Sequence, residues 1–205
     1  TSERGNDYSK IKTVAKVKDE TKPREAPKTS LKKSNLTKID KKSIKNSVIS
    51  SLIQKKIAIV VDDMGLNLKI SERVVGLKPP LTLSYLPYAA DLKRQTRKAK
   101  SVGHELLLHL PMEPIDRTID PGPNVLLSGI NKKELVQTIR WNLNQFDDFV
   151  GINNHMGSKF TLDTVLMTVL FTELKANNLF FLDSLTIKNS KGEKVAKNLG
   201  FYSVS

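Results

Sequence analysis

The residues of this sequence that can do chemistry are two adjacent carboxylates and two histidines, each placed after an apolar run. Asp62-Asp63-Met64-Gly65 follows Ile57-Ala58-Ile59-Val60-Val61. Neighbouring acids in that position divide labour: one carboxylate holds a hard or borderline cation, and the other takes a proton from bound water. His109 ends the run that begins at Leu106, and His155 follows Asn153-Asn154. With Asp63 they make a two-histidine, one-carboxylate set, which binds zinc or another divalent metal and leaves a position for water.

Further acids and amides sit nearby in sequence. Glu113 shares the period-two face of His109 if the strand runs on, as a ligand or as a partner that fixes the His109 tautomer. Asp183, after Leu179-Phe180-Phe181-Leu182, is a candidate to orient a base or bind substrate. Asn153, Asn154, Ser158 and Ser184 offer polar contacts to a substrate or an oxyanion. Plainer roles stand beside these: helix capping for the aspartates and turn formation for Asn-Asn and Gly-Ser. His104 opens a strand on the opposite edge and reads as structural.

The elements that must position these groups alternate. A β-branched run over residues 57–61 reads as a strand buried on both faces of a parallel sheet. Residues 67–77 have helical periodicity and stop at Pro79-Pro80. Strands follow over 81–86, from 105, over 149–152 and over 179–182, with helices over 90–102, from Asn131 and over 161–177. Asn131-x-x-Glu134 has the form of a capping box. Residues 111–130, rich in proline, form a long loop on the same edge as the acids. The order βαβαβ implies an α/β fold with the site at the C-terminal ends of the strands. Residues 195–205 read as a short helix and the start of a sixth strand, so the domain is expected to continue past a closing element that this sequence does not reach.

Charge is concentrated at one end. Residues 1–56 hold 16 basic and 6 acidic side chains out of 34 and 21 in the 205-residue chain. The near-balanced remainder argues against nucleic acid as the main partner. Residues 1–54, rich in Lys, Ser, Thr and Asn, read as a disordered linker, and 55–205 as the functional domain. There is no cysteine, so a metal must be held by histidine and carboxylate. The chain begins at Thr, and removal of an N-terminal signal or anchor is an expectation that would bring it near a membrane.

Several motifs, in order, resemble the divergent polysaccharide deacetylases, relatives of the NodB-like enzymes. They are Val61-Asp62-Asp63-Met64-Gly65, the stretch from Gly103 through His109 to Glu113-Pro114, Pro121-Gly122-Pro123-Asn124, the stretch from Asn153 to Ser158, and Phe180 to Ser184. The resemblance spans about residues 55–205. It implies a distorted (β/α) barrel, truncated here at the C-terminus, and divalent-metal hydrolysis of acetyl groups on sugars. It also implies Asp62 as base and Asp63 as metal ligand. Glu113-Pro114 stands where those relatives carry a second metal histidine, so the ligand set is expected to be Asp63 and His109 completed by His155 or Glu113. A polysaccharide or peptidoglycan-like glycan is the expected partner, and the periplasm or cell envelope the expected location. The competing expectation is a non-catalytic glycan-binding or envelope-assembly protein on the same scaffold.

Overall fold

The computed structural model describes residues 57–205, within a compact unit that spans Lys55–Ser205. The linker expected over 1–54 lies outside the described residues. Six strands form one parallel sheet: β1 (Val60–Met64), β2 (Thr82–Tyr85), β3 (Glu105–Met112), β4 (Gly151–Met156), β5 (Phe180–Leu182) and β6 (Ser203–Val204). Between them run α1 (Leu68–Val75), α2 (Leu92–Ser101), α3 (Lys132–Leu143), α4 (Thr164–Ala176) and α5 (Gly192–Leu199).

Strand order follows chain order from β1 to β6 without reversal. A doubly wound sheet reverses at a switch point. A sequential parallel sheet with right-handed crossovers instead carries its helices on one face, as the wall of a (β/α) barrel does. The expected α/β architecture is therefore present, and it gathers the C-terminal ends of all the strands along one edge.

The middle of the sheet is dry. In β2, Leu83, Ser84 and Tyr85 are all fully buried, and in β3 every residue from Leu106 to Met112 is buried. Such strands are covered on both faces, which is why Leu106-Leu107-Leu108 reads as an unbroken apolar run. On the helix side, Phe171 of α4 packs on Phe181 and Phe201, with ring centroids 5.1 and 4.6 Å apart. Burial of one side chain of this size contributes about 1.5–3 kcal/mol.

Local signals set the helix boundaries. Asn131 caps α3, accepting from the Glu134 N–H at 3.0 Å while the Glu134 carboxylate reaches back to the Asn131 N–H. Helix α4 starts later than its apolar pattern, because Asp163 caps it by accepting from Val165 and Leu166 N–H at 2.7 and 3.1 Å. The preceding Phe160–Leu162 forms a single 3-10 turn that puts Phe160 into the core.

Two expectations need correction. The first strand is an edge strand rather than one buried on both faces: Ile57 is 89% exposed, and regular pairing begins only at Val60. The fourth strand begins at Gly151 and continues to Met156, so Asn153, Asn154 and His155 lie inside it rather than in the loop that follows. Polar residues broke the apolar pattern there, yet Asn153 and Asn154 are buried and satisfied by hydrogen bonds. Among the described residues no helix is long and apolar enough to cross a membrane.

Candidate metal centre

The two aspartates owe their placement to a bulge. Val61 pairs with Leu83 and Met64 with Tyr85, so three steps along β1 oppose two along β2. One residue is extra in the Asp62-Asp63 segment, and Asp63 takes a left-handed φ of 56°. Bulges re-aim side chains, and a non-glycine residue held at such a φ costs roughly 1–3 kcal/mol. Gly65 then turns the chain out of the strand at φ +104°, where a Cβ would come within 2.5 Å of the Ala89 Cβ.

The histidines owe theirs to register. His109 of β3 is the Cα partner of Asn153 in β4, and Pro111 is the partner of His155. Period two places Asn153 and His155 on one face of β4, beside His109.

Three ligand atoms meet as a result. Asp63 Oδ1 lies 3.3 Å from His109 Nε2 and 3.1 Å from His155 Nδ1, and the two ring nitrogens are 3.2 Å apart. Neighbouring ligand atoms on a tetrahedral zinc with bonds of about 2.0–2.1 Å are about 3.3 Å apart. The three atoms thus have the spacing of one tetrahedral face, and this donor set fits a divalent cation. The His109 side chain is 4% exposed and that of Asp63 62%, so the group opens to solvent on the aspartate side.

Electrostatics agree with the geometry. The hydrogen bond to His109, which outweighs partial burial, holds the Asp63 carboxyl below its usual range, and His155 adds to the effect. Burial first, and the neighbouring His109 second, lower the pKa of His155 despite the opposing pull of Asp63. Both shifts favour unprotonated ligands.

Around this group Asn153 makes the most contacts. Its side chain lies 2.9 Å from His109 Nδ1 through Oδ1, which also accepts from the Ser84 hydroxyl. Its Nδ2 donates to Asp62 Oδ1 at 2.8 Å and lies 3.4 Å from Ser184 Oγ. Asp62 therefore sits beside this group of three, its Oδ1 4.0 Å from His109 Nδ1.

The remaining candidates go elsewhere. Glu113 follows the end of β3, and the chain turns away there. Its carboxylate accepts from Lys159 Nζ and the Ser128 N–H, each at 2.6 Å, and from the Ser128 hydroxyl. The structure thus does not bring Glu113 to the group of Asp63, His109 and His155. Asp183 is buried and accepts from the Ser190 hydroxyl and, at 3.0 Å, from the Leu185 N–H, which ties down the loop before α5. Asn154 accepts from the Ser184 N–H at 2.8 Å and donates to Met156 O at 2.7 Å. Ser158 accepts from the Ile115 N–H at 2.9 Å. His104 accepts from the Leu81 N–H at 3.2 Å and has Nε2 3.1 Å from Val75 O, a buried strut between segments.

Sequence reasoning singled out neither Ser84 nor Tyr88. Tyr88 is close enough to feel the charge of Asp63: burial first, then Asp63 and Asp120, raise its pKa. Its hydroxyl donates to Pro121 O at 3.4 Å, and its ring lies against Gly122, where a Cβ would come within 2.6 Å. The prolines of that stretch signalled a long loop on the same edge as the acids, but nothing nearby in sequence pointed to its aromatic partner.

Comparison with known proteins adds the family. The family model described as "Divergent polysaccharide deacetylase" matches residues 59–205. An uncharacterized Haemophilus influenzae protein is 35% identical over 174 residues, which cover 80% of this chain and 61% of that protein. The uncharacterized Escherichia coli protein YibQ is 34% identical over 151 residues, covering 74% of this chain and 47% of that protein. The crystal structure of an uncharacterized Agrobacterium tumefaciens protein is similar with a TM-score of 0.70 and 27% identity, over 72% of this chain and 61% of that one. The chain thus spans about half to three-fifths of the length of these relatives. On the family match and the relatives' identity, the chain belongs to the divergent polysaccharide deacetylase family.

Proposed function

We propose that this protein is a metal-dependent hydrolase that removes acetyl groups from an amino-sugar polymer of the cell envelope, with zinc as its cation. The observation that carries the proposal is the triangle of Asp63 Oδ1, His109 Nε2 and His155 Nδ1, with sides of 3.1 to 3.3 Å. Those three atoms would hold the cation. A divalent cation there supplies Lewis-acid polarisation of the acetyl carbonyl and makes a water nucleophilic near neutral pH.

The side chains divide the remaining work. Asp62 is held through Oδ1 by Asn153, so Oδ2 is left to accept the proton of the attacking water. The buried imidazole of His109 gives the site a fixed floor. Asp63 is open to solvent, and a polymer would lie on that side, with Tyr88 as a wall and Ser184 as a polar contact. The family match supports a glycan as substrate. An envelope location follows from that substrate and from the Lys-rich residues 1–54, which suit a domain spaced from an anionic membrane surface.

Acetate release from acetylated amino-sugar oligomers and peptidoglycan fragments tests this reading. Zinc-loaded protein is expected to release acetate, chelation to abolish release, and Asp62→Asn to reduce it by about 100-fold or more. Glycan binding without release of acetate, equal in wild type and Asp62→Asn, would contradict it and support a non-catalytic glycan-binding scaffold.

A further inference from the structure

One buried amide joins the two halves of the site. Asn153 is 1% exposed, and an asparagine side chain has two donor hydrogens and room for two acceptor contacts. All four are used, on His109, Ser84, Asp62 and Ser184. An ionised carboxylate can only accept, so the end of the amide that faces Asp62 Oδ1 at 2.8 Å must be the NH2. The end that faces His109 is then the carbonyl oxygen, which also can only accept. His109 Nδ1, 2.9 Å away, must therefore carry a proton, so whenever the ring is neutral the lone pair is on Nε2, the atom that faces Asp63 and His155.

We infer that Asn153 is a positioning residue that reads the orientation of the Asp62 carboxylate and converts it into the ligand tautomer of His109, with the Ser84 hydroxyl as a second anchor. The expected general base and the expected metal ligand are in this way one rigid unit. Carboxylates and backbone carbonyls commonly hold a ligating histidine. Here an amide does so, and unlike a carboxylate it has a donor left for a second, acidic group. The inference rests on the metal-centre reading above for its catalytic meaning and on geometry alone for the tautomer.

Substitution can separate the two duties. Asn153→Leu removes both. Asn153→Asp keeps an acceptor towards His109 and loses the NH2 that holds Asp62. The experiment is 15N NMR of the histidine rings in the metal-free full chain, together with zinc affinity by competition with a chromophoric chelator. In wild type His109 is expected to keep a protonated Nδ1 throughout, with Nε2 bare whenever the ring is neutral. In Asn153→Leu its signals move towards the Nε2–H form, and zinc affinity falls by about 10- to 100-fold. Asn153→Asp is expected to keep the Nδ1–H form and a zinc affinity within about threefold of wild type, while kcat for acetate release falls about tenfold or more with KM unchanged.

A folded Asn153→Leu with unchanged ring signals and zinc affinity would overturn the inference, as would a neutral wild-type His109 protonated on Nε2 alone. Should Asn153→Leu fail to fold, Asn153→Asp decides: zinc affinity lost as fully as in His109→Ala would overturn it, and affinity retained would support it. A wild type with the Nδ1–H form and no zinc binding would sink the metal-centre reading while the positioning role of Asn153 stands.

Discussion

Asp63 Oδ1 stands 3.1 Å from Nδ1 of His155, although 92 positions separate the two residues in the chain. The contact needs both the bulge in β1 and the polar extension of β4. It joins a carboxyl whose pKa is lowered to an imidazole whose pKa is also lowered. A metal competes with protons for such ligands, and lowered values move that competition to more acidic pH.

The pH dependence of metal binding follows from these directions. His155 sheds its proton below its ordinary value of 6.5, because burial opposes the charged ring. Zinc affinity is expected to be on its plateau at pH 7 and to decline only as pH falls well below 6.5, with proton release on binding growing as it declines. Calorimetric titrations in buffers of different ionisation enthalpy measure both quantities. An affinity still rising steeply above pH 7 would contradict the assignment of His155.

Glu113 is expected to act on stability. Burial opposes its ionisation, but Lys159 and Ser128 together outweigh that and hold its pKa below 4.5. A carboxyl lowered on folding stabilises the protein above its unfolded pKa, and the contribution is lost as pH falls through the folded value. Glu113→Gln is therefore expected to cost about 1 kcal/mol at pH 7, as partly buried charge-assisted hydrogen bonds do, and progressively less below pH 4.5. Urea denaturation at pH 7 and pH 3.5 measures the difference. Zinc affinity at pH 7 is expected to stay unchanged, since the carboxylate is engaged away from the metal group.

Tyr85 predicts a substitution that removes polarity without loss. Its hydroxyl is fully buried with no hydrogen-bond partner among the described residues, and burial pushes its pKa up to about 12. The ring still packs edge-on against Phe146 at 6.3 Å. Tyr85→Phe keeps that contact and removes an unsatisfied donor, so thermal unfolding should show a stability equal to wild type or higher by up to about 1 kcal/mol.

The third strand was legible because β3 is covered on both faces and reads as an unbroken apolar run from Leu106 up to His109. Helix α3 was legible for a local reason, since its capping box lies within four residues. The bulge at Asp62-Asp63 was not, because an extra residue in an edge strand leaves no mark on hydropathy and shows only in the register against β2. The end of β4 was misplaced because Asn153 and Asn154 look like a turn. Apart from the Asn154 bond to Met156 O, their polarity is satisfied by partners 30 to 91 positions away, which no local pattern carries. Glu113 misled through period two: extension ends at Met112, and Lys159 and Ser128 supply the partners that a metal would otherwise offer.

The central claim is that Asp63, His109 and His155 are one metal centre. Its most direct test is zinc stoichiometry and affinity for the wild-type full chain, Asp63→Asn and His109→Ala, with folding checked by circular dichroism. Asparagine tolerates the left-handed φ of 56° at position 63, so Asp63→Asn removes the charge without adding backbone strain. The account predicts one zinc per wild-type chain and an affinity at least about 100-fold weaker in each folded variant. A wild type that ignores zinc, or folded variants that bind it as tightly as wild type, would contradict the claim.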